Sequence, residues 1–156
     1  MKRYFAVFIT VYTIFLLYMM FFGSGREASH ESYLQTQPFI TIQKFFTDTH
    51  VSSEDFAVNI IGNIFVFSPF GWLGLCLRKF NSFIPATFSF LIIISVIESV
   101  QYLTGRGVAD IDDIFLNTTG MLIGFFLFKY ATWKNIANIR FHFELTEEKS
   151  LQPTVS

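Results

Sequence analysis

The sequence predicts an all-α integral membrane protein, a four-helix bundle with both termini in the cytoplasm. Three observations carry that expectation. The 156 residues are 52% hydrophobic and 19% aromatic, with 22 Phe, but only 15% charged. Soluble chains average about 25% charged, and a small domain has too much surface to keep so many apolar side chains from water. Apolar runs at about 4–22, 56–77, 83–103 and 114–133 each approach the roughly 20 residues that a helix needs to cross a hydrocarbon core. In a four-span arrangement Lys2, Arg3, Arg78, Lys79, Lys134 and Arg140 fall on one side, and Arg26, Lys44 and Arg106 on the other. The positive-inside rule places the first set in the cytoplasm. A net charge of −1 offers no basic footprint for nucleic acid, and the single cysteine, Cys76, excludes an intrachain disulfide framework.

Taken in order, the first run, Tyr4 to Phe22, is the cleanest. Lys2 and Arg3 before it and Gly23-Ser24-Gly25 after it also suit a signal peptide. The run exceeds the usual apolar stretch of about 7–15 residues in such leaders, so retention as a span is expected. The segment from Gly23 to Asp55 then lies outside. Within it Pro38 precedes Phe39, Ile42, Phe45 and Phe46, a spacing that gathers apolar side chains on one side of a short interfacial helix. Ser52 and Asp55 have capping-box spacing for the start of the second span.

The other three runs carry polar breaks: Asn59, Asn63, Ser68 and Pro69 in the second, Glu98 and Gln101 in the third, and Asn117 in the fourth. Lipid alone does not tolerate such groups, so these spans are expected to face one another. Pro69 cannot donate to Phe65 and should kink the second span. Gly120 and Gly124 form a small-xxx-small face, open either to packing within the chain or to a homodimer. Residues 1–133 thus form one transmembrane domain, followed by a cytoplasmic tail at 134–156. In that tail Ile139, Phe141, Phe143 and Leu145 alternate with polar residues.

The topology also assigns depths. Asn59 and Asn63 stack at i and i+4 on the outer half of the second span; Glu98 and Gln101 lie at i and i+3 near the outer end of the third. Glu98 sits roughly 7–8 Å below that end. Arg106, Asp110, Asp112 and Asp113 occupy the outer loop, and Asn117 the first turn of the fourth span. A buried carboxylate near mid-bilayer costs about 2.5–3.5 kcal/mol unless paired, protonated or wetted. Arg106 is the natural partner for Glu98. One reading is a set of interhelical hydrogen bonds with one Asp capping the fourth span. The other is an outward-facing polar pocket, because three acids in the loop against one arginine exceed what pairing requires. Asp112 and Asp113 are the candidate oxygens for a divalent cation, although their spacing matches no EF-hand loop. His30, His50 and His142 are scattered and suggest no zinc site.

Read together, Asn59-Ile60-Ile61-Gly62-Asn63-Ile64, Ser68-Pro69-Phe70-Gly71, Glu98-Ser99-Val100-Gln101, Gly105-Arg106-Gly107-Val108-Ala109-Asp110-Ile111-Asp112-Asp113 and Leu116-Asn117-Thr118-Thr119-Gly120 resemble the successive signatures of VanZ-like membrane proteins. They occur in the right order over about Asp55 to Phe128. The first span and the outer segment match in hydropathy alone. The resemblance implies a four-span protein of the bacterial cytoplasmic membrane, linked in its named member to low-level resistance to teicoplanin, a lipid-tailed glycopeptide. It implies no established reaction, substrate or cofactor.

Two functional expectations follow. The leading one is an envelope protein, not obviously an enzyme, that binds a membrane lipid, a lipid-linked cell-wall precursor or a lipoglycopeptide. Its polar site would comprise Asn59, Asn63, Glu98, Gln101, Arg106, Asp110, Asp112, Asp113 and Asn117. The alternative is a membrane-embedded hydrolase or transferase acting on an envelope lipid, with Glu98 as general base and a metal held by Asp112 and Asp113.

Overall fold

The computed structural model describes residues 2–23, 34–47, 57–106 and 109–134. The capping pair Ser52 and Asp55 and the alternating segment beyond residue 134 lie outside them.

Among the described residues three helices are long and apolar enough to cross a membrane: α1 (Lys2–Phe22), α4 (Phe83–Thr104) and α5 (Ile111–Trp133). Their 21, 22 and 23 residues advance roughly 32–35 Å, against a hydrocarbon core of about 30 Å. No Gly or Pro interrupts α1. In α4 the one proline, Pro85, lies in the first turn, where no backbone partner is lost. The end of α4 is set by Gly105 at φ 64°: its N–H bonds the Tyr102 carbonyl at 3.1 Å, and the Arg106 N–H bonds that of Gln101 at 3.0 Å. This is a Schellman motif, and Gly adopts its left-handed residue without strain.

The second apolar run departs from a continuous α-helix. It opens as a π-helical turn (Ala57–Gly62), runs as α3 (Asn63–Phe67) and tightens into a 3₁₀-helix (Ser68–Leu75). Pro69 is the cause of the last change. It has no N–H for the Phe65 carbonyl, so Ser68 serves that oxygen twice, from its backbone N–H and from its hydroxyl at 2.9 Å. The Tyr12 hydroxyl on α1 donates to the next carbonyl, Val66, at 2.7 Å. A single kink was expected; overwinding over eight residues is what occurs. A second 3₁₀ turn, Arg78–Asn81, leads into α4.

Outside the spans, β1 (Leu34–Gln35) pairs in parallel with β2 (Ala109–Asp110), Leu34 opposite Ala109 and Gln35 opposite Asp110. This small departure from an all-helical chain ties the first outer segment to the start of α5. The short helix expected in that segment forms as α2 (Ile40–Thr47).

Helix α5 is central: half of its membrane window is buried, while in α1 Ile9 alone is buried. One core joins Phe67, Phe90, Ile94, Met121 and Phe125; a second, toward the C-terminal end of α5, joins Leu75, Phe128 and Ala131. Many of the phenylalanines therefore pack helix on helix. Phe67 meets Phe90 edge-on, with centroids 5.8 Å apart. The glycines set the closest approach. A Cβ on Gly120 would overlap the Ile64 carbonyl, one on Gly124 that of Ser68, and one on Gly71 the backbone of α5 at Phe125. The small-residue face is thus filled by the chain's own second apolar segment.

Gly124→Ala is expected to lower stability by roughly 1–3 kcal/mol or more, because the obstructing atom is backbone and cannot rotate away. Ile123→Ala, one position along on the exposed face, should change it little. Unfolding midpoints of the two variants in detergent micelles check this.

Candidate functional site

The polar residues singled out in the sequence are placed chiefly by the ends of helices. An α-helix leaves its first four N–H and last four C=O groups without internal partners, and lipid offers none. Asp110 caps α5 in the ordinary way, accepting from the Asp112 N–H at 2.9 Å. Its other carboxylate oxygen accepts from the Thr41 hydroxyl. Asp112, 0% exposed, caps a different helix from a distance. Its two oxygens accept from the backbone N–H groups of Phe39 (2.6 Å), Thr41 (2.9 Å) and Ile42 (3.1 Å), at the start of α2.

That clamp holds a strained residue. Phe39 has φ 66°, a left-handed conformation that an aromatic side chain rarely adopts. The bond from its N–H to Asp112 and stacking of its ring on Phe115, centroids 5.5 Å apart and 18° from parallel, keep it there.

Gln101 and Arg106 serve the opposite kind of terminus. Gln101, 4% exposed, donates from Nε2 to the Met20 carbonyl at 3.1 Å. Arg106 donates from Nη1 to the Phe21 carbonyl at 3.3 Å, and its guanidinium lies over the Phe22 ring, 4.5 Å from the centroid. Both side chains therefore cap the C-terminus of α1, where a cation is favoured by the helix dipole. Asn63 donates to Asp113 Oδ1 at 3.0 Å and joins α3 to α5. Glu98 and Asn117 are 5% and 2% exposed, on α4 and α5. The Asn117 Oδ1 atom has no hydrogen-bond partner among the described residues. Asn59, on the π-helical turn, is exposed.

Six of the nine residues thus fall into separate ties: Gln101 and Arg106 to α1, Asn63 with Asp113, and Asp110 with Asp112 to α2. Among the described residues no three His, Cys, Asp or Glu side chains come together as a metal-binding group. A cavity of about 520 Å³ does open elsewhere, between α1, α4 and the second apolar segment, with Met121 of α5 at its floor. Its walls include Leu17, Met20, Phe70, Phe90 and Ile93, and none of the nine residues lines it. Met20 links the two features, since its side chain borders the cavity and its carbonyl accepts from Gln101.

The VanZ/LLP1 family model matches residues 8–134. The chain belongs to the VanZ/LLP1 family. The match takes in α1 and the outer segment as well as the motif-bearing spans, so in this VanZ/LLP1 chain the family signal starts well before Asp55. No curated protein and no solved structure matches the chain.

Sequence reasoning missed Tyr12 and Thr41, and it read Phe39 as part of an apolar helix face without its place in the Asp112 clamp. Their partners are backbone groups or residues some 50–70 positions away, and no local spacing encodes such pairs. A tyrosine inside an otherwise apolar run was the only available signal, because a buried phenol O–H needs an acceptor.

Asp112→Ala removes the acceptor of three N–H groups, each costing about 1–3 kcal/mol if left unsatisfied. The expected outcome is release of α2: faster amide exchange at Phe39, Thr41 and Ile42, and new protease cleavage between residues 34 and 47, with α4 and α5 still protected. Asp112→Asn, which keeps one acceptor oxygen, should fall between. Hydrogen-exchange mass spectrometry checks the order.

Proposed function

We propose that this VanZ/LLP1 protein is a multi-pass protein of the bacterial cytoplasmic membrane, with both termini in the cytoplasm, that binds a lipid-linked or amphiphilic ligand. In that role it serves envelope maintenance and lowers sensitivity to teicoplanin-type lipoglycopeptides. One observation carries the reading: an apolar cavity of about 520 Å³ whose end at Met20 adjoins the polar side chains Gln101 and Arg106. Ligand sites commonly pair a largely apolar lining of this size with a few fixed polar groups.

In this reading the segment Ala57–Leu75 makes the fourth crossing. Its eight 3₁₀ residues advance about 16 Å, where the same number in α-helix would advance about 12 Å. A segment with a short apolar stretch, Asn59–Leu75, thereby gains reach. The basic Arg78–Asn81 turn lies on the cytoplasmic side, and α2 on the outer surface. A tail enters between α1 and α4 while the head meets Gln101 and Arg106; Asn59 and Asn63 extend the polar surface toward α3. Asp110, Asp112 and Asp113 hold the outer wall in place.

Ala86→Phe places a ring in the cavity without touching the helix caps. Native mass spectrometry of protein extracted from cell membranes should show co-purified amphiphile falling severalfold against wild type, with protection against teicoplanin falling in parallel. Equal lipid content in both proteins would sink the reading. For orientation, Lys79→Cys in a Cys76→Ser background should react with a membrane-impermeant maleimide only after the cells are opened.

A further inference from the structure

The cavity has a length, a lining and a cation beyond one end, which together narrow its occupant. Along α1 it runs from Ile9 to Met20, a helical rise of roughly 16 Å. That is about half of the roughly 30 Å hydrocarbon core, the depth of one leaflet. Of the three hydroxyl side chains that border it, Thr10, Thr13 and Ser89, the two threonines are turned back into their own helix: Thr10 donates to the Ala6 carbonyl at 2.8 Å and Thr13 to that of Ile9 at 2.6 Å. The lining thus offers a chain of methylenes contact throughout and gives a sugar or a charge little to bond.

Beyond the Met20 end stands a cation. Arg106 is half-buried beside Phe21, the residue after the last one on α1 to line the cavity. Among the described residues its guanidinium makes one hydrogen bond, to the Phe21 carbonyl, out of five N–H donors. The neighbouring acids are engaged: Asp110 and Asp112 by the hydroxyl and N–H groups at the start of α2, and Asp113 by Asn63. The site therefore favours a phosphate and has little with which to receive the ammonium of a zwitterionic head.

We infer that the cavity holds one acyl chain of an anionic glycerophospholipid from the leaflet that contains Arg106, with the lipid phosphate against the guanidinium. This rests on the amphiphile reading above and names its ligand class. A polyprenyl carrier, several acyl chains long, overfills a space one leaflet deep.

The test uses full-length protein in nanodiscs of equal phosphatidylglycerol and phosphatidylcholine, with bound lipid counted by native mass spectrometry. Wild type should retain phosphatidylglycerol at least threefold over phosphatidylcholine. Arg106→Gln should fall to parity, Arg106→Lys should keep most of the preference, and Lys44→Gln, which removes an outer cation on α2, should leave it unchanged. No preference in wild type, or an equal loss in Lys44→Gln, would overturn the headgroup assignment while Ala86→Phe still displaced lipid. If Ala86→Phe retained lipid as wild type does, the cavity reading itself would fall and this proposal with it. Should Arg106→Gln not fold, phosphatidylglycerol bearing a mid-chain diazirine tests wild type directly. Adducts on Leu17 and Ile93 are expected; adducts confined to Val11 and Phe15 on the exposed side of α1 would refute it.

Discussion

A backbone carbonyl or N–H inside a bilayer must find its partner within the protein, because lipid supplies none. That constraint organises this chain. The proline break in the second apolar segment frees carbonyls, and Ser68 and Tyr12 take them up. The end of α1 leaves carbonyls at Met20 and Phe21, and Gln101 and Arg106 reach across to them. The start of α2 presents three N–H groups, and the buried Asp112 accepts all three. Where a helix cannot close its own end, another helix does so. The bundle is held laterally by close contact at Gly71, Gly120 and Gly124 and by phenylalanine packing, and vertically by these long-range caps.

This explains what the sequence disclosed. Hydropathy was sufficient for α1, α4 and α5, because period and length are local properties. The second run was harder to read: Pro69 announced a break, but its form depended on Ser68 and Tyr12 satisfying the freed carbonyls. The polar residues were legible as a set, since Glu98, Gln101 and Asn117 are too costly in lipid to be incidental. Their duties were not. An aspartate at the second position of a helix reads as a local cap or a metal ligand; that Asp112 instead caps a helix some seventy positions earlier depends on the parallel pairing of β1 with β2. The apolar cavity was invisible for a related reason. It is a gap between α1 and α4, and a gap between packed elements belongs to no single stretch of chain.

The functional picture shifts accordingly. A polar cleft opening outward was the expectation, and the structure engages four of its residues, Gln101, Arg106, Asp110 and Asp112, at helix ends. The apolar volume beside α1 is now the more informative feature. Helix α1 contributes one wall of it, and Ile9 alone in that helix is buried, so the cavity is bounded on one side by the least embedded of the three long helices. On the proposed reading amphiphile binding becomes a property of how α1 is tethered, and the side chains that tether it stand beyond the Met20 end of the cavity.

The trans caps on α1 also impose an order on biogenesis. The carbonyl of Phe21 leaves the ribosome 85 residues ahead of the guanidinium that will cap it. At about 5–20 residues per second this interval is roughly 4–17 s. Throughout it the end of α1 can be satisfied only by water or lipid headgroups, so the new helix must wait with that end at the membrane surface. Arrival of Arg106 caps the terminus and fixes the helix against its neighbours.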